Sequence, residues 1–311
     1  MATEGGAAAS GDKPKVGLVG VGLMGNKMAR RLREVGFEVV AWNRDSAKAE
    51  ALEDAGCVAA ASAAQCAADA DVVVLMLSDA AAIASVLLED AATAGALKGK
   101  TVLQMGTIGP QSSRDIADRV QALGASYLEA PVLGSQPEAA QGTLLIMVGA
   151  EADPRASPAW PIIEALGGNI QHMGGVGTGA AAKLAMNQLI GSLTVGFSTS
   201  LGLLLKNGVD CGSDSKFMSI LRDSALYAPT FDKKLQRMLD RDYANPNFPT
   251  KHLLKDVNLF TDVARESGLD TALLEALGRV ISSTTERGLD NTDYSAVFEG
   301  VYDPAGEKKW E

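Results

Sequence analysis

The stretch Lys15-Val-Gly-Leu-Val-Gly-Val-Gly-Leu-Met-Gly-Asn26 decides the fold. Lys15 to Val19 is a short apolar run, the pattern of a buried strand. Gly20, Gly22 and Gly25 follow in GxGxxG spacing, and an amphipathic run (Met28, Ala29, Leu32, Val35) then ends at Gly36. The order is strand, glycine turn, helix. Gly20 permits a turn closed to residues with a side chain, Gly22 admits a pyrophosphate to the backbone, and Gly25 lets the helix pack tightly on the strand. The helix start offers free N–H groups and a positive dipole end to phosphates. The spacing alone is weak. A second strand, Glu38-Val-Val-Ala-Trp42, at the expected distance makes a dinucleotide the expected ligand. Val21, Leu23 and Met24 belong to the same turn and join the cofactor-binding set. Leu77 and Ser78, at the end of a later apolar run, are counted with them.

The chain has 311 residues, enough for two domains. Hydrophobic residues make up 47% and charged residues 21%, a globular composition. A net charge of −10 argues against nucleic acid or an anionic membrane surface as the main partner. Cys57, Cys66 and Cys211 are odd in number and fit neither a disulfide framework nor a CxxC metal site. They point to a reducing compartment. With only His172 and His252, no metal site is expected. No apolar run reaches the roughly 18–20 residues of a membrane span. Residues 1–12 are small and polar, a disordered tail or the remnant of a processed targeting peptide. The expected compartment is the cytoplasm, with plastid or mitochondrial matrix as the alternative.

From Lys15 to Val148, apolar runs alternate with helical segments, which implies a mostly parallel, doubly wound sheet with both faces covered. The runs are 15–19, 38–42, 57–59, 72–77, 101–105, 126–128 and 144–148. Beyond Gly174 the character changes. A proline-free segment from Ala180 to Lys206 reads as one long helix, ended by Asn207-Gly208. Further helices are expected at 213–221, 231–240, 250–267, 270–288 and 293–299, with no strand. The fold class is therefore α/β: a Rossmann domain over 13–175, then an all-helical domain over 176–311, joined by the long interdomain helix. Residues 304–311 are expected to be loose.

The residue at the end of the second strand selects the nicotinamide. An acid there would bond the ribose 2′-hydroxyl and repel a 2′-phosphate. Asn43 stands in that place and Arg44 follows it, able to pair with a phosphate and lie over the adenine. NADP(H) is expected over NAD(H).

Three more stretches carry chemistry. In Glu129-Ala-Pro-Val-Leu-Gly-Ser135, followed by Gly142-Thr143, the N–H groups of Gly134 and Ser135 are suited to a carboxylate, although an ordinary loop explains the stretch as well. In Gly177-Thr-Gly-Ala-Ala-Ala-Lys183-Leu-Ala-Met-Asn187, Lys183 and Asn187 share one helix face among small apolar neighbours. Both glycines there would let a ligand approach the helix start. In Phe248-Pro-Thr-Lys251-His-Leu-Leu-Lys255-Asp256, a solvated helix face is nearly as good an account as a site.

Together these stretches resemble the β-hydroxyacid dehydrogenase family from Lys15 to about Phe298. Gly20-Val-Gly-Leu-Met-Gly25 is similar to its GLGxMG turn, Glu129 to Ser135 to its (D/E)APVSGG substrate motif, and Lys255-Asp256 to its late KD pair. Its GxGxxxKxxxN motif is matched by Gly177, Gly179, Lys183 and Asn187. Phe248 to Asp256 resembles the glyoxylate/succinic semialdehyde reductase branch. The resemblance implies NADP-dependent reduction of a short semialdehyde or 2-oxo acid, or the 3-hydroxyisobutyrate type of oxidation. Lys183 would be the general acid/base. Leu133, Gly134, Ser135, Asn187, Phe248 and Asp256 would hold a carboxylate-bearing substrate, and Thr107 and Lys255 would contact the cofactor. The site is expected between the domains, and the protein is expected to be a homodimer or homotetramer. Two departures stand out: Leu133 replaces the usual serine, and Gly106-Thr107 replaces Ser-Thr. Imine reductases of similar architecture lack the lysine, and a non-catalytic NADP-binding sensor or scaffold is the rival from another class.

Overall fold

The computed structural model of the chain describes residues 13–302; the expectations for 1–12 and 304–311 fall outside the described residues. The chain divides into two compact units. One comprises the residues up to Gly106 and Gln111–Gly179, the other Thr107–Pro110 and the residues from Ala180 onward.

The first unit carries β1 (Val16–Val19), β2 (Val39–Trp42), β3 (Val58–Ala59), β4 (Val72–Leu75), β5 (Thr101–Gln104), β6 (Ser126–Glu129), β7 (Val132–Leu133), β8 (Leu144–Gly149) and β9 (Gly167–Gly174). Helix α1 (Leu23–Glu34) follows β1, α2 (Ser46–Glu50) follows β2 and α3 (Ala63–Ala68) follows β3. Helices α4 (Ala80–Ile83) and α5 (Ala91–Ala96) lie between β4 and β5. Next come α6 (Pro110–Ala122) before β6, α7 (Gln136–Gln141) before β8 and α8 (Trp160–Leu166) before β9. The strands form one sheet in the order β3-β2-β1-β4-β5-β6-β8-β7, with β9 on β8. β1 to β6 run parallel to one another. Val72 to Leu75 are buried throughout, as a strand covered on both faces must be. The strand order reverses at β1, which has β2 on one side and β4 on the other. The crevice at their carboxyl ends is the place where such a sheet receives a dinucleotide.

Two strands escape the sequence pattern. β7 is two residues long, too short to show a period. β9 reads Gly-Gly-Asn-Ile-Gln-His-Met-Gly and has no fully buried residue, because among the described residues it pairs with β8 alone. An edge strand open to water needs no apolar run.

The second unit is helical: α9 (Thr178–Lys206, beginning in the first unit), α10 (Lys216–Asp223), α11 (Pro229–Asp240), α12 (Thr250–Glu266), α13 (Ala272–Thr284) and α14 (Phe298–Val301). The helix expected over 270–288 is α-helical only as far as Thr284. It widens over Thr285–Leu289, where Gly288 turns left-handed at φ 80°. Phe197, Leu201, Met218, Leu235 and Phe298 form one of its apolar clusters, and Leu253, Val257, Leu277 and Ile281 form another. Lys234 on α11 forms a buried ion pair with Asp293 at 2.7 Å and lies 4.2 Å from the centre of the Tyr294 ring, tying α11 to the segment before α14.

One expectation needs correcting. Among the described residues, α9 is long and apolar enough to cross a membrane by length and composition. Counting unbroken apolar runs missed it, because glycine, serine and threonine interrupt the leucines without making the helix polar. The core helix of a globular protein meets the same criterion, and α9 buries the polar Lys183, Asn187, Thr194 and Ser198.

Candidate active site

The glycine turn is shaped by contacts that leave no room for side chains. Gly20 adopts φ 108°, and a Cβ there would strike the Met76 carbonyl oxygen and sit 3.1 Å from Leu77 Cδ2. A Cβ on Gly25 would collide with the Gly20 carbonyl oxygen. Gly22 differs, since a Cβ there meets nothing within 4 Å. Two glycines thus close the turn, and the third leaves backbone open on the side where a pyrophosphate would approach. Leu23 is exposed and Met24 half-buried at the start of α1. The Leu77 loop also lies close to Gly106, whose Cβ would come 2.6 Å from the Leu77 carbonyl oxygen. Ser78 beyond it is exposed and donates to Asp79 at 2.7 Å. Asn43 accepts from the Val21 N–H at 3.0 Å and donates to the Asp45 carbonyl at 3.1 Å, so its amide first braces the turn. Arg44 is exposed just beyond β2. These features fit a dinucleotide.

Leu133 on β7 pairs with Leu145 of β8, and Gly134 follows at φ 139°. Ser135 heads α7 in a capping box: its N–H donates to Glu138 Oε2 at 2.8 Å and its hydroxyl to the same oxygen at 2.6 Å. The expectation that the Ser135 N–H receives a substrate carboxylate therefore needs revision, because Glu138 already holds it. Helix α7 packs on α1, the helix that the glycine turn opens.

In the second unit the long helix brings its polar pair to α12. Lys183 Nζ donates to Asn187 Oδ1 at 2.8 Å, and Asn187 Nδ2 donates to Asp256 Oδ2 at 2.6 Å. Asp256 Oδ1 forms an ion pair with Lys255 Nζ at 2.8 Å, and Lys255 donates to the Thr107 carbonyl at 3.2 Å. Lys183, Asn187 and Asp256 are all buried. Burial pushes the Lys183 ammonium down to about 8, while the Asp256 carboxylate pulls it back up and Lys255 adds to the depression. Thr107 thus enters the cluster through its backbone. Phe248 is half-buried, stacked on His252 at 6.4 Å and edge-on to Tyr294 at 5.8 Å. Burial, then Lys255 and Lys251, hold the His252 imidazole below its ordinary value, against a smaller opposite pull from Asp256.

Residues 15–175 match the family model described as the NAD binding domain of 6-phosphogluconate dehydrogenase. Residues 177–301 match the NAD-binding model of NADP-dependent 3-hydroxyisobutyrate dehydrogenase. The chain belongs to the β-hydroxyacid dehydrogenase family. This family member is 31% identical to glyoxylate/succinic semialdehyde reductase 1 of Arabidopsis thaliana, over 92% of its own length and 98% of the relative's. It is 30% identical to the chloroplastic reductase 2 of the same plant, over 92% and 79%. A 3-hydroxyisobutyrate dehydrogenase of Mycobacterium tuberculosis, solved with L-serine, shares the fold at a TM-score of 0.83 and 22% identity, covering 93% of this chain and 99% of that one. The protein is thus an NAD(P)-dependent hydroxyacid dehydrogenase or reductase with a Rossmann domain.

A further residue of this dehydrogenase has a role that the sequence left unassigned. Glu129 opens the stretch that resembles a substrate motif, is 1% exposed, and its Oε1 accepts the N–H groups of Gly177 at 2.7 Å and Gly179 at 2.8 Å. The two glycines therefore serve a carboxylate of the chain itself, which corrects the expectation of a ligand at the start of α9. The signal was present: an acid closing a buried strand must find donors.

Proposed function

We propose that the protein reduces a short semialdehyde or 2-oxo acid, such as glyoxylate or succinic semialdehyde, to the hydroxyacid with NADPH. The carrying observation is the buried Lys183–Asn187–Asp256 chain, with its lysine brought to about 8. A nicotinamide cofactor, when bound, supplies the hydride. Lys183 gives its proton to the carbonyl oxygen as negative charge develops there, and takes one from the hydroxyl in the reverse direction. A lysine near 8 is mostly protonated at neutral pH, yet releases a proton far more readily than an exposed one. Asn187 spends its oxygen on Lys183 and one N–H on Asp256, which aims the ammonium and leaves one N–H for the substrate. Asp256 and Lys255 supply opposing charges that tune Lys183. In the second unit Phe248 contacts the substrate, and in the first Leu133 and Gly134 lie on the substrate loop. In the first unit Gly20 to Gly25 with Leu77 and Ser78 contact the cofactor and Arg44 meets its 2′-phosphate; in the second, Thr107 and Lys255 are the cofactor contacts.

The names of the two plant reductases support this reading. The 3-hydroxyisobutyrate dehydrogenase model over 177–301 favours oxidation of a 3-hydroxyacid as the second reading. Three buried free thiols suit a reducing compartment. Exposed Met186, Leu189 and Leu193, at helical spacing on α9, suit a homodimer or homotetramer.

The test is NADPH and NADH oxidation against short semialdehydes and 2-oxo acids, with wild type, Lys183→Ala and Arg44→Ala. The reading expects NADPH-dependent turnover, a kcat at least about 10²-fold lower without Lys183, and a raised KM for NADPH but not NADH without Arg44. Full activity in Lys183→Ala contradicts it.

A further inference from the structure

The carboxylate of Glu129 sits in a cradle made for it. Glu129 and the two residues before it on the strand are buried, so the acid has no water to turn to. Oε1 takes the Gly177 and Gly179 N–H groups, and Oε2 accepts from the Ser113 hydroxyl, whose oxygen lies 2.9 Å from the Tyr127 hydroxyl. A Cβ on Gly149 would occupy the carboxylate's own place, and one on Gly179 would stand 3.1 Å from Oε1. Just outside, Glu151 takes the Val176 N–H at 3.1 Å. The N–H groups of Val176 and Gly177, which lead into α9, and of Gly179 in its first turn are thus bound by acids of β6 and of the turn after β8, while the Thr178 N–H donates to the Gly175 carbonyl. A carboxylate there also lies at the favourable end of the helix dipole.

Gly179 and Lys183 are four residues apart on one continuous helix, so they share a face. Fixing the Gly179 N–H fixes the rotation and axial position of the turn that carries the Lys183 ammonium. We propose that Glu129 is a positioning residue for Lys183: the acid of the stretch resembling a substrate motif holds the first turn of the catalytic helix and does not bind substrate. The proposal rests on Lys183 being the acid. Reach, rather than charge, does the holding, because both N–H groups must meet one oxygen.

Two conservative variants separate these properties. E129Q keeps the reach without the charge; its amide oxygen accepts both N–H groups and its NH2 donates to Ser113. E129D keeps the charge but withdraws it by one methylene. Each is measured for kcat, substrate KM, NADPH Kd by fluorescence and the pH profile, beside Lys183→Ala. A displacement near 1 Å at a reacting group costs up to about 10²-fold. E129D should therefore lose about tenfold or more in kcat with KM, Kd and the alkaline limb unmoved, while E129Q keeps most of kcat. Wild-type kcat in E129D, or E129Q impaired as much as or more than E129D, overturns the proposal. So does a rise in KM at unchanged kcat, which marks a substrate ligand, or a loss of NADPH binding in step with kcat, which marks a general structural role. Full activity in Lys183→Ala is a separate result; it removes the acid reading beneath.

Discussion

At the residue scale the proposed chemistry rests on how far Lys183 departs from an ordinary lysine. Burial lowers it, Asp256 opposes that shift and Lys255 assists it. Removing either neighbour should move the alkaline limb of carbonyl reduction, in opposite directions. Asp256→Asn deletes the charge that favours the ammonium, so Lys183 loses its proton at lower pH and the limb moves acidward. Lys255→Met deletes a like charge, so the limb moves to higher pH. Profiles of kcat for the two variants check both signs, and limbs that stay put would separate the titration from Lys183. Stability follows the same group. Its folded value lies below that of the unfolded chain, so burial of the ammonium costs stability below about pH 8. The cost is relieved as pH rises toward the ordinary value near 10.4. The four-residue spacing of Lys183 and Asn187, and the adjacent Lys255-Asp256, were visible in the sequence. The junction of the two pairs was not, because a contact between residues 69 apart depends on how α9 and α12 pack. The engagement of Ser135 by Glu138 was written three residues downstream in the S-x-x-E pattern of a capping box, and went unread.

At the element scale the glycine turn gives a clean contrast. Gly22→Ala places a methyl in open space and should leave stability within about 1 kcal/mol, while weakening NADPH binding at the phosphate approach. Gly25→Ala places a methyl on the Gly20 carbonyl and should cost about 1–3 kcal/mol or more, as overpacking does. Urea denaturation beside fluorescence titration with NADPH distinguishes the two; equal affinity in Gly22→Ala and wild type would dissociate the turn from the cofactor. Elements with a strong period were legible: the buried parallel strands through their apolar runs, and α9, α11 and α12 through their helical spacing. β7 and β9 were not, because one is too short for a pattern and the other faces water. The end of α13 was misjudged because Gly288 permits a left-handed residue inside a run that otherwise reads as helix.

At the scale of the whole molecule, the two-part organisation was legible because the alternation of strand and helix stops where α9 begins. The proposed assembly rests on what the second unit leaves exposed among the described residues. Leu189 is 50% exposed, with Met186 and Leu193 beside it on α9, and Leu203, Ile220 and Leu273 are exposed elsewhere in the unit. A sequence pattern marks such residues as apolar but does not tell a core face from an unpartnered one. Sedimentation equilibrium should give a dimer or tetramer, and Leu189→Asp with Leu193→Asp should shift it toward monomer; a monomeric wild type would contradict this. The central claim, that Lys183 passes the proton in both directions, is tested most directly by the pH dependence of kcat/KM for reduction and for oxidation on the same enzyme. The account predicts mirror-image limbs, reduction falling and oxidation rising through about pH 8, with both limbs absent in Lys183→Ala. Limbs that persist in that variant, or that run the same way in both directions, would contradict it.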